Sequence, residues 1–244
     1  MANPDELGLI QMKEQIQMLG SSTEKYGDPT LERFLIAKSK DPKKAAKMFV
    51  EWQQWRKSFV PLGFIPDSEV LPQLECKNIF ILKGLSKTGH AVLMVDSGKH
   101  SPVKDQNQFK KFAVHIYDKG IASGIKGKEI GNEKFIEIMD LKTLSYKNVD
   151  TRAFISGIQI LQNYYPERLA KLYLINIPWF FKSVWKLITP FIEKELLNKI
   201  MMVSNEKEKK QFIEEVGIEV LPMELGGNAK LVPIQDVQVP QLEC

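Results

Sequence analysis

Gln162-Asn163-Tyr164-Tyr165-Pro166-Glu167-Arg168-Leu169 leads into Leu172-Tyr173-Leu174-Ile175-Asn176-Ile177-Pro178. On its upstream side, Val149 to Tyr164 has the spacing of an amphipathic helix, and Leu172 to Ile177 reads as a strongly apolar strand. Working outward toward the N-terminus, Phe135 to Leu141 reads as a strand and Phe109 to Ile125 as a helix. Ile79 to Leu82 and Ala91 to Asp96 are short apolar runs around Lys87-Thr88-Gly89-His90, a hairpin turn. Toward the C-terminus, Pro178 to Phe191 is aromatic-rich and helical in tendency, broken at Pro190. Ile192 to Val203 continues as helix, Glu206 to Val216 is a charged helix, and Ile218 to Leu221 is a last short strand. Strands alternating with helices predict an α/β domain with a mixed, largely parallel sheet flanked by helices.

Residues 1–60 have a different texture and predict a small helical module. Leu7, Ile10, Ile16 and Leu19 mark a first helix ending near Gly20; Leu31, Phe34 and Leu35 share one face of a second. Asp41-Pro42 opens a third, because aspartate caps free amides and proline is tolerated in a first helical turn. Ala45, Met48, Phe49, Trp52 and Trp55 then follow at helical spacing and read as packing surface. The expected organisation is a helical module over 1–60, an α/β domain over 61–235 and a tail over 236–244. Pro72-Gln73-Leu74-Glu75-Cys76 recurs at Pro240 to Cys244, an echo too short to make a repeat architecture.

Hydrophobic residues are 43% of the 244, enough to bury a sizeable core. The net charge of +4 is too mild, and the charges too dispersed, to point to nucleic acid; it suits brief contact with an anionic membrane surface. Two cysteines, Cys76 and Cys244, make no disulfide framework and suit a reducing compartment. Asp5 and Glu6 stand where a signal peptide would be basic, so none is expected, and no apolar run approaches the roughly 18 residues of a spanning helix. A terminal Cys244 is not a prenylation box. The expectation is a cytoplasmic monomer, peripheral at membranes.

Searches for catalytic chemistry come back empty. Gly84-Leu85-Ser86-Lys87-Thr88-Gly89 has the wrong glycine spacing for a nucleophile elbow. Gly127-Lys128 is followed by Glu129 rather than Ser or Thr and lacks the earlier glycine of a phosphate loop. His90, His100 and His115 are scattered without ligand spacing. No paired carboxylates stand out. No enzyme, metal or cofactor is expected.

Five segments in register resemble the CRAL-TRIO family, which includes fungal and plant phosphatidylinositol transfer proteins. They are Leu31-Glu32-Arg33-Phe34-Leu35-Ile36-Ala37-Lys38 with the Asp41 to Arg56 helix, Ile138-Met139-Asp140-Leu141-Lys142, the Gln162–Pro178 stretch, Pro190-Phe191-Ile192 with Lys199-Ile200, and Leu221-Pro222 with Leu225-Gly226-Gly227. The resemblance implies a sheet floor, flanking helices and a gate helix over an apolar cavity. Phe180, Phe181, Val184, Trp185, Leu187 and Ile188 give the gate stretch apolar surface nearly all round, with Phe191 beyond, so it is expected to be buried or to meet lipid.

The implied function is to hold one hydrophobic ligand, phosphatidylinositol and/or a sterol-like lipid, in a closed cavity and to exchange or present it at a membrane. The alternative is a signalling scaffold of the same fold that acts through protein partners and transfers nothing. By resemblance, Glu167 and Lys199 hold the inositol phosphate and Lys38 assists: lysine offers charge to phosphate, glutamate accepts from ring hydroxyls. Lys38 replaces an arginine of the family and loses its planar fork, and Leu196 replaces a threonine. The positions that hold a choline phospholipid correspond to Leu82, Leu93, Phe135 and Glu137. Alternation places Phe135, Glu137 and Met139 on one strand face, which the resemblance turns toward the cavity. A carboxylate there repels phosphate and is costly to bury charged, so phosphatidylcholine is expected to be a poor ligand.

Overall fold

The computed structural model describes residues 4–125 and 133–239. Gly127-Lys128 and the Pro240–Cys244 echo lie outside the described residues. The chain opens with three helices, α1 (Pro4–Met18), α2 (Asp28–Ala37) and α3 (Pro42–Phe59). Asp41 caps α3, its carboxylate accepting from the amides of Lys43 and Lys44 at 3.1 Å each. Met12, Ile16, Leu31, Phe34, Phe49 and Trp52 form the shared core of this module. Phe34 and Phe49 meet edge to face at 5.1 Å, an arrangement that favours ring quadrupoles over simple stacking.

After α4 (Leu71–Leu74) come β1 (Ile79–Ile81), β2 (Ala91–Asp96), α5 (Gln106–Ala122), β3 (Phe135–Asp140), α6 (Thr151–Tyr164) and β4 (Leu169–Ile175). Then follow α7 (Phe181–Ile188), α8 (Lys194–Leu197), β5 (Ile200–Met202) and α9 (Glu206–Val216). The sheet order is β1-β2-β3-β4-β5; β1 is antiparallel to β2 and the other pairs are parallel. The β1–β2 turn closes as expected: Gly89 takes φ +82° and its amide donates to Ser86 O at 2.8 Å.

Because the strands are added in chain order, right-handed crossovers all step the same way and lay their helices on one face. That face buries Leu93, Phe135, Leu172 and Leu174 with residues of α5, α6 and α7. The other face buries Val92, Met94, Ile136, Ile138 and Tyr173 against Phe212 and Val216 of α9. The first face, covered by three helices, holds the cavity described below.

Three local expectations are corrected. Ile192–Val203 is not one helix: only α8 forms, and then the chain turns into β5. The Leu172 amide donates to Lys199 O and the Val203 amide to Leu174 O, each at 2.9 Å, so pairing with the open edge of β4 outcompetes continued helix. Ile218–Leu221 is a turn rather than a strand: the amides of Val220 and Leu221 both donate to Gly217 O at 3.1 Å, after Gly217 ends α9 at φ +97°. The gate stretch is not apolar all round. Lys182, Ser183 and Lys186 face solvent, while Phe181 and Ile188 are buried.

Candidate functional site

An apolar cavity of about 150 Å³ lies between the sheet and α5, α6 and α7. Phe112 and Ile116 of α5, Ile158 of α6 and Met139 of β3 wall it. Phe181, Val184 and Ile188 line it from α7; their three- and four-residue spacing puts one stripe of that helix along the hollow. Ser97, His100, Asn148 and Asp150 make a polar end just beyond the carboxyl ends of β2 and β3. There Asp150 caps α6 through the Ala153 amide at 2.9 Å and also accepts from the Val103 amide at 3.0 Å. Burial raises the Asp150 pKa, but these amides and His100, 3.4 Å away, outweigh it and hold the carboxyl below its usual range.

The expected gate residues divide. Phe181, Val184 and Ile188 look inward, whereas Trp185 is half-buried and Phe180 is buried against Tyr146, ring centroids 4.4 Å apart. Phe191 lies past α7 and is exposed, as are Trp179 and Leu187. Lys182 and Lys186 are exposed beside them in sequence. The outer side of this segment is therefore aromatic and basic.

The expected lining residues also divide. Glu137 and Met139 line the cavity. Leu93 and Phe135 are on the same side of the sheet but packed solid. Leu93 lies under Gly120, where a Cβ would come within 2.6 Å of Leu93 Cδ1, and Phe135 stacks on Tyr117 at 5.6 Å. Leu82 is placed on the opposite face, with Phe80 and the α9 cluster, because alternation from Ile79 puts residues 80 and 82 together. Glu137 is buried, and that burial pushes its pKa up to about 7.

A second site gathers at the amino ends of the strands. Glu167 accepts from Lys199 Nζ and from Lys134 Nζ, each at 2.8 Å. Burial raises the Glu167 pKa, yet the hydrogen bonds and charges of Lys134 and Lys199 override it and hold the carboxyl below its ordinary value. Glu167 occupies the third position of a turn closed by the Arg168 amide on Tyr165 O at 3.1 Å, with φ +56°. Pro166 suits the second position of such a turn, but glycine or asparagine is the usual third residue, so glutamate carries backbone strain there. Lys38 caps the C-terminal end of α2 and, among the described residues, shares no hydrogen bond or ion pair with Glu167 or Lys199. Leu196 is buried in α8 and offers no polar group.

Sequence reading missed Lys134. Nothing local marks it; it meets Glu167 because β3 and β4 pair in parallel, with Phe135 opposite Leu169, so the residues entering both strands lie together. It also missed the contacts that fasten the helical module to the sheet domain. Arg56 bridges both oxygens of Asp118, at 3.1 and 2.7 Å, and Tyr165 donates to the same carboxylate at 2.7 Å. Arg33 donates to Pro166 O at 3.1 Å, and Trp55 stacks on Tyr164 at 3.9 Å. Among the described residues no group of three His, Cys, Asp or Glu could hold a metal, and no helix is long and apolar enough to cross a membrane.

Residues 76–227 match the family model described as the CRAL/TRIO domain. The chain is 27% identical over 245 residues to a CRAL-TRIO domain-containing protein of Saccharomyces cerevisiae, covering 93% of this chain and 78% of that one. It is 28% identical over 237 residues to the Sec14 cytosolic factor of Schizosaccharomyces pombe, covering 91% and 82%. The phosphatidylinositol/phosphatidylcholine transfer protein SFH9 of Arabidopsis thaliana is 25% identical over 215 residues, which span 82% of this chain and 37% of that longer one. Among solved structures, Sfh5 superposes with a TM-score of 0.62 at 20% identity, covering 79% of this chain and 70% of Sfh5, a likeness of fold.

Proposed function

The chain belongs to the CRAL/TRIO domain family, and from that premise we propose that it holds a lipid between the sheet and α7 and carries or presents it at membranes. The observation that carries this reading is the apolar cavity lined by α7, a helix that exposes Lys182, Lys186 and Leu187 and is flanked by the exposed rings of Trp179 and Phe191. One relative, the Arabidopsis protein SFH9, is named as a phosphatidylinositol/phosphatidylcholine transfer protein and supports it. A cavity of about 150 Å³ is below the roughly 300–1,000 Å³ of pockets that enclose drug-sized ligands. Loading a lipid chain therefore needs α7 to swing outward. Exposing the stripe of Phe181, Val184 and Ile188 to water costs roughly 5 kcal/mol, which a bilayer surface offsets by accepting the same side chains. Trp179, Leu187 and Phe191 with Lys182 and Lys186 supply the initial contact with an anionic interface.

Glu167 and Lys199 read an inositol phospholipid head, and Lys134 adds a second ammonium for the phosphate. Their mutual pairing keeps the half-buried charges compensated until a head group replaces one partner. Phosphatidylcholine is a poor ligand, since Phe135 and Glu137 offer its phosphate no hydroxyl and Glu137 offers it a carboxyl. We take residues 1–60 as a helical module and 61–235 as the lipid domain, acting as a cytoplasmic monomer that visits membranes.

The test is organic extraction and mass spectrometry of the purified protein, followed by vesicle-to-vesicle transfer of labelled phosphatidylinositol and phosphatidylcholine. Phosphatidylinositol transfer that falls at least about ten-fold in Lys199→Ala is expected. A protein that extracts no lipid and transfers neither phospholipid would sink the reading in favour of a scaffold.

A further inference from the structure

Glu137 sits in the middle of β3, the central strand of the sheet, with Leu93 and Leu172 as its register partners on either side. It is only 7% exposed, lines the cavity, and makes no hydrogen bond to any described residue. Tyr117 of α5 is also 7% exposed and lines the same hollow, and its hydroxyl makes no hydrogen bond to a described residue either. Gly157 on α6 leaves room for it: a Cβ there would stand 3.3 Å from the Tyr117 hydroxyl. Besides the polar end at Ser97, His100, Asn148 and Asp150, two polar groups thus look into the chamber without a hydrogen bond to a described residue. A ligand that hydrogen-bonds both gains two contacts that no described residue supplies.

We infer that Glu137 and Tyr117 form a two-point site for a single hydroxyl, which makes the cavity selective for an uncharged lipid alcohol, such as a sterol or long-chain alcohol. The inference rests on the reading that the cavity takes lipid, and it narrows the ligand class. A hydroxyl both donates and accepts, so it can donate to the Glu137 carboxyl and accept from the Tyr117 hydroxyl. A choline head has no N–H or O–H to donate and brings a phosphate that the carboxylate repels. An alkylammonium would have to be stripped of water for one carboxylate, a desolvation that a lone pairing repays poorly. A hydrocarbon without a polar end leaves both groups unsatisfied. Tyr117 stacks on Phe135, ring centroids 5.6 Å apart, and Phe135 and Glu137 are alternate residues on one face of β3, which puts the phenol and the carboxyl along one wall of the hollow.

The experiment uses the full chain and a matched pair of probes, hexadecan-1-ol and hexadecane, present in equal amounts in phosphatidylcholine vesicles. Protein is incubated, re-isolated and extracted, and mass spectrometry gives the ratio of the two. Phosphatidylinositol transfer is measured in parallel, and circular dichroism melts confirm that each variant is folded. The unmutated protein should enrich the alcohol about ten-fold over the alkane, the effect of roughly one hydrogen bond to a buried polar group. Glu137→Leu should bring the ratio near unity, Tyr117→Phe should lower it to an intermediate value, and Glu137→Gln should keep part of it. Equal ratios in the unmutated protein and in Glu137→Leu, with phosphatidylinositol transfer intact, would overturn the hydroxyl site alone. If neither probe nor phosphatidylinositol is taken up, the cavity reading fails and the hydroxyl site with it.

Discussion

Glu137 within β3 and Glu167 just before β4 are the same side chain on neighbouring strands, and the protein treats them in opposite ways. Glu167 stands at the entrance to β4 between two lysines, which hold its carboxyl charged below the ordinary range. Glu137 is deep in the β3 wall, where burial pushes its pKa up to about 7. The contrast teaches that the cavity wall and the strand entrances are different solvents. One compensates charge locally; the other leaves a carboxyl to be neutralised by a proton or a ligand.

The largest effect that sharpens this comparison comes from Glu137→Gln. Its folded pKa of about 7 is above the unfolded carboxylate value, so its favourable contribution is full below about pH 4.5 and is lost as pH rises through 7. Tyr117 is the titratable group beside it, and His100 and Asp150 line the same cavity. Urea unfolding should find the glutamine variant about 3 kcal/mol more stable than the unmutated protein near pH 8.5, and near parity around pH 4. A gap that does not grow with pH would place the carboxyl in a wetter site.

Next in size is the double change Lys134→Met, Lys199→Met, which leaves Glu167 half-buried without its cations. A loss of about 2 kcal/mol at neutral pH is expected. Because the folded pKa of Glu167 is depressed, that contribution is present above the ordinary carboxylate range and vanishes as pH falls through the folded value. Unfolding curves at pH 7 and pH 3 measure it. Glu167→Asn should be milder for stability, within about 1 kcal/mol, since relief of the φ +56° strain offsets the lost ion pairs. Its phosphatidylinositol transfer should nonetheless fall at least about ten-fold, which separates a head-group role from a structural one. Lys38→Ala should do least, leaving that transfer within about two-fold, because Lys38 shares no hydrogen bond or ion pair with the cluster among the described residues.

The fold was legible where local chemistry and tertiary pairing agree. Gly89 turns the β1–β2 hairpin and Asp41 caps α3, each for a reason written in a few adjacent residues. Reading failed where pairing overrides propensity. Ile200-Met201-Met202 suits a helix locally, yet the open edge of β4 draws it into a strand. Glu137 was visible as a misfit on an apolar alternation. Family position points Leu82 toward the cavity, yet alternation from Ile79 places it with Phe80 on the far side. Lys134 could not be found from the sequence, because only the β3–β4 register brings it to Glu167.

Arg56 reaches from α3 to Asp118, the residue of α5 immediately after cavity-facing Tyr117. One turn of helix thus answers to two masters: a guanidinium outside and the chamber inside. Amputating the first 60 residues would strand Asp118 and Tyr165 beside a missing cation, so the remaining domain should unravel rather than behave as a miniature. Because Arg56 ties α3 to the turn of α5 that carries Tyr117, the N-terminal helices are the place to attach a reporter of what happens in the chamber.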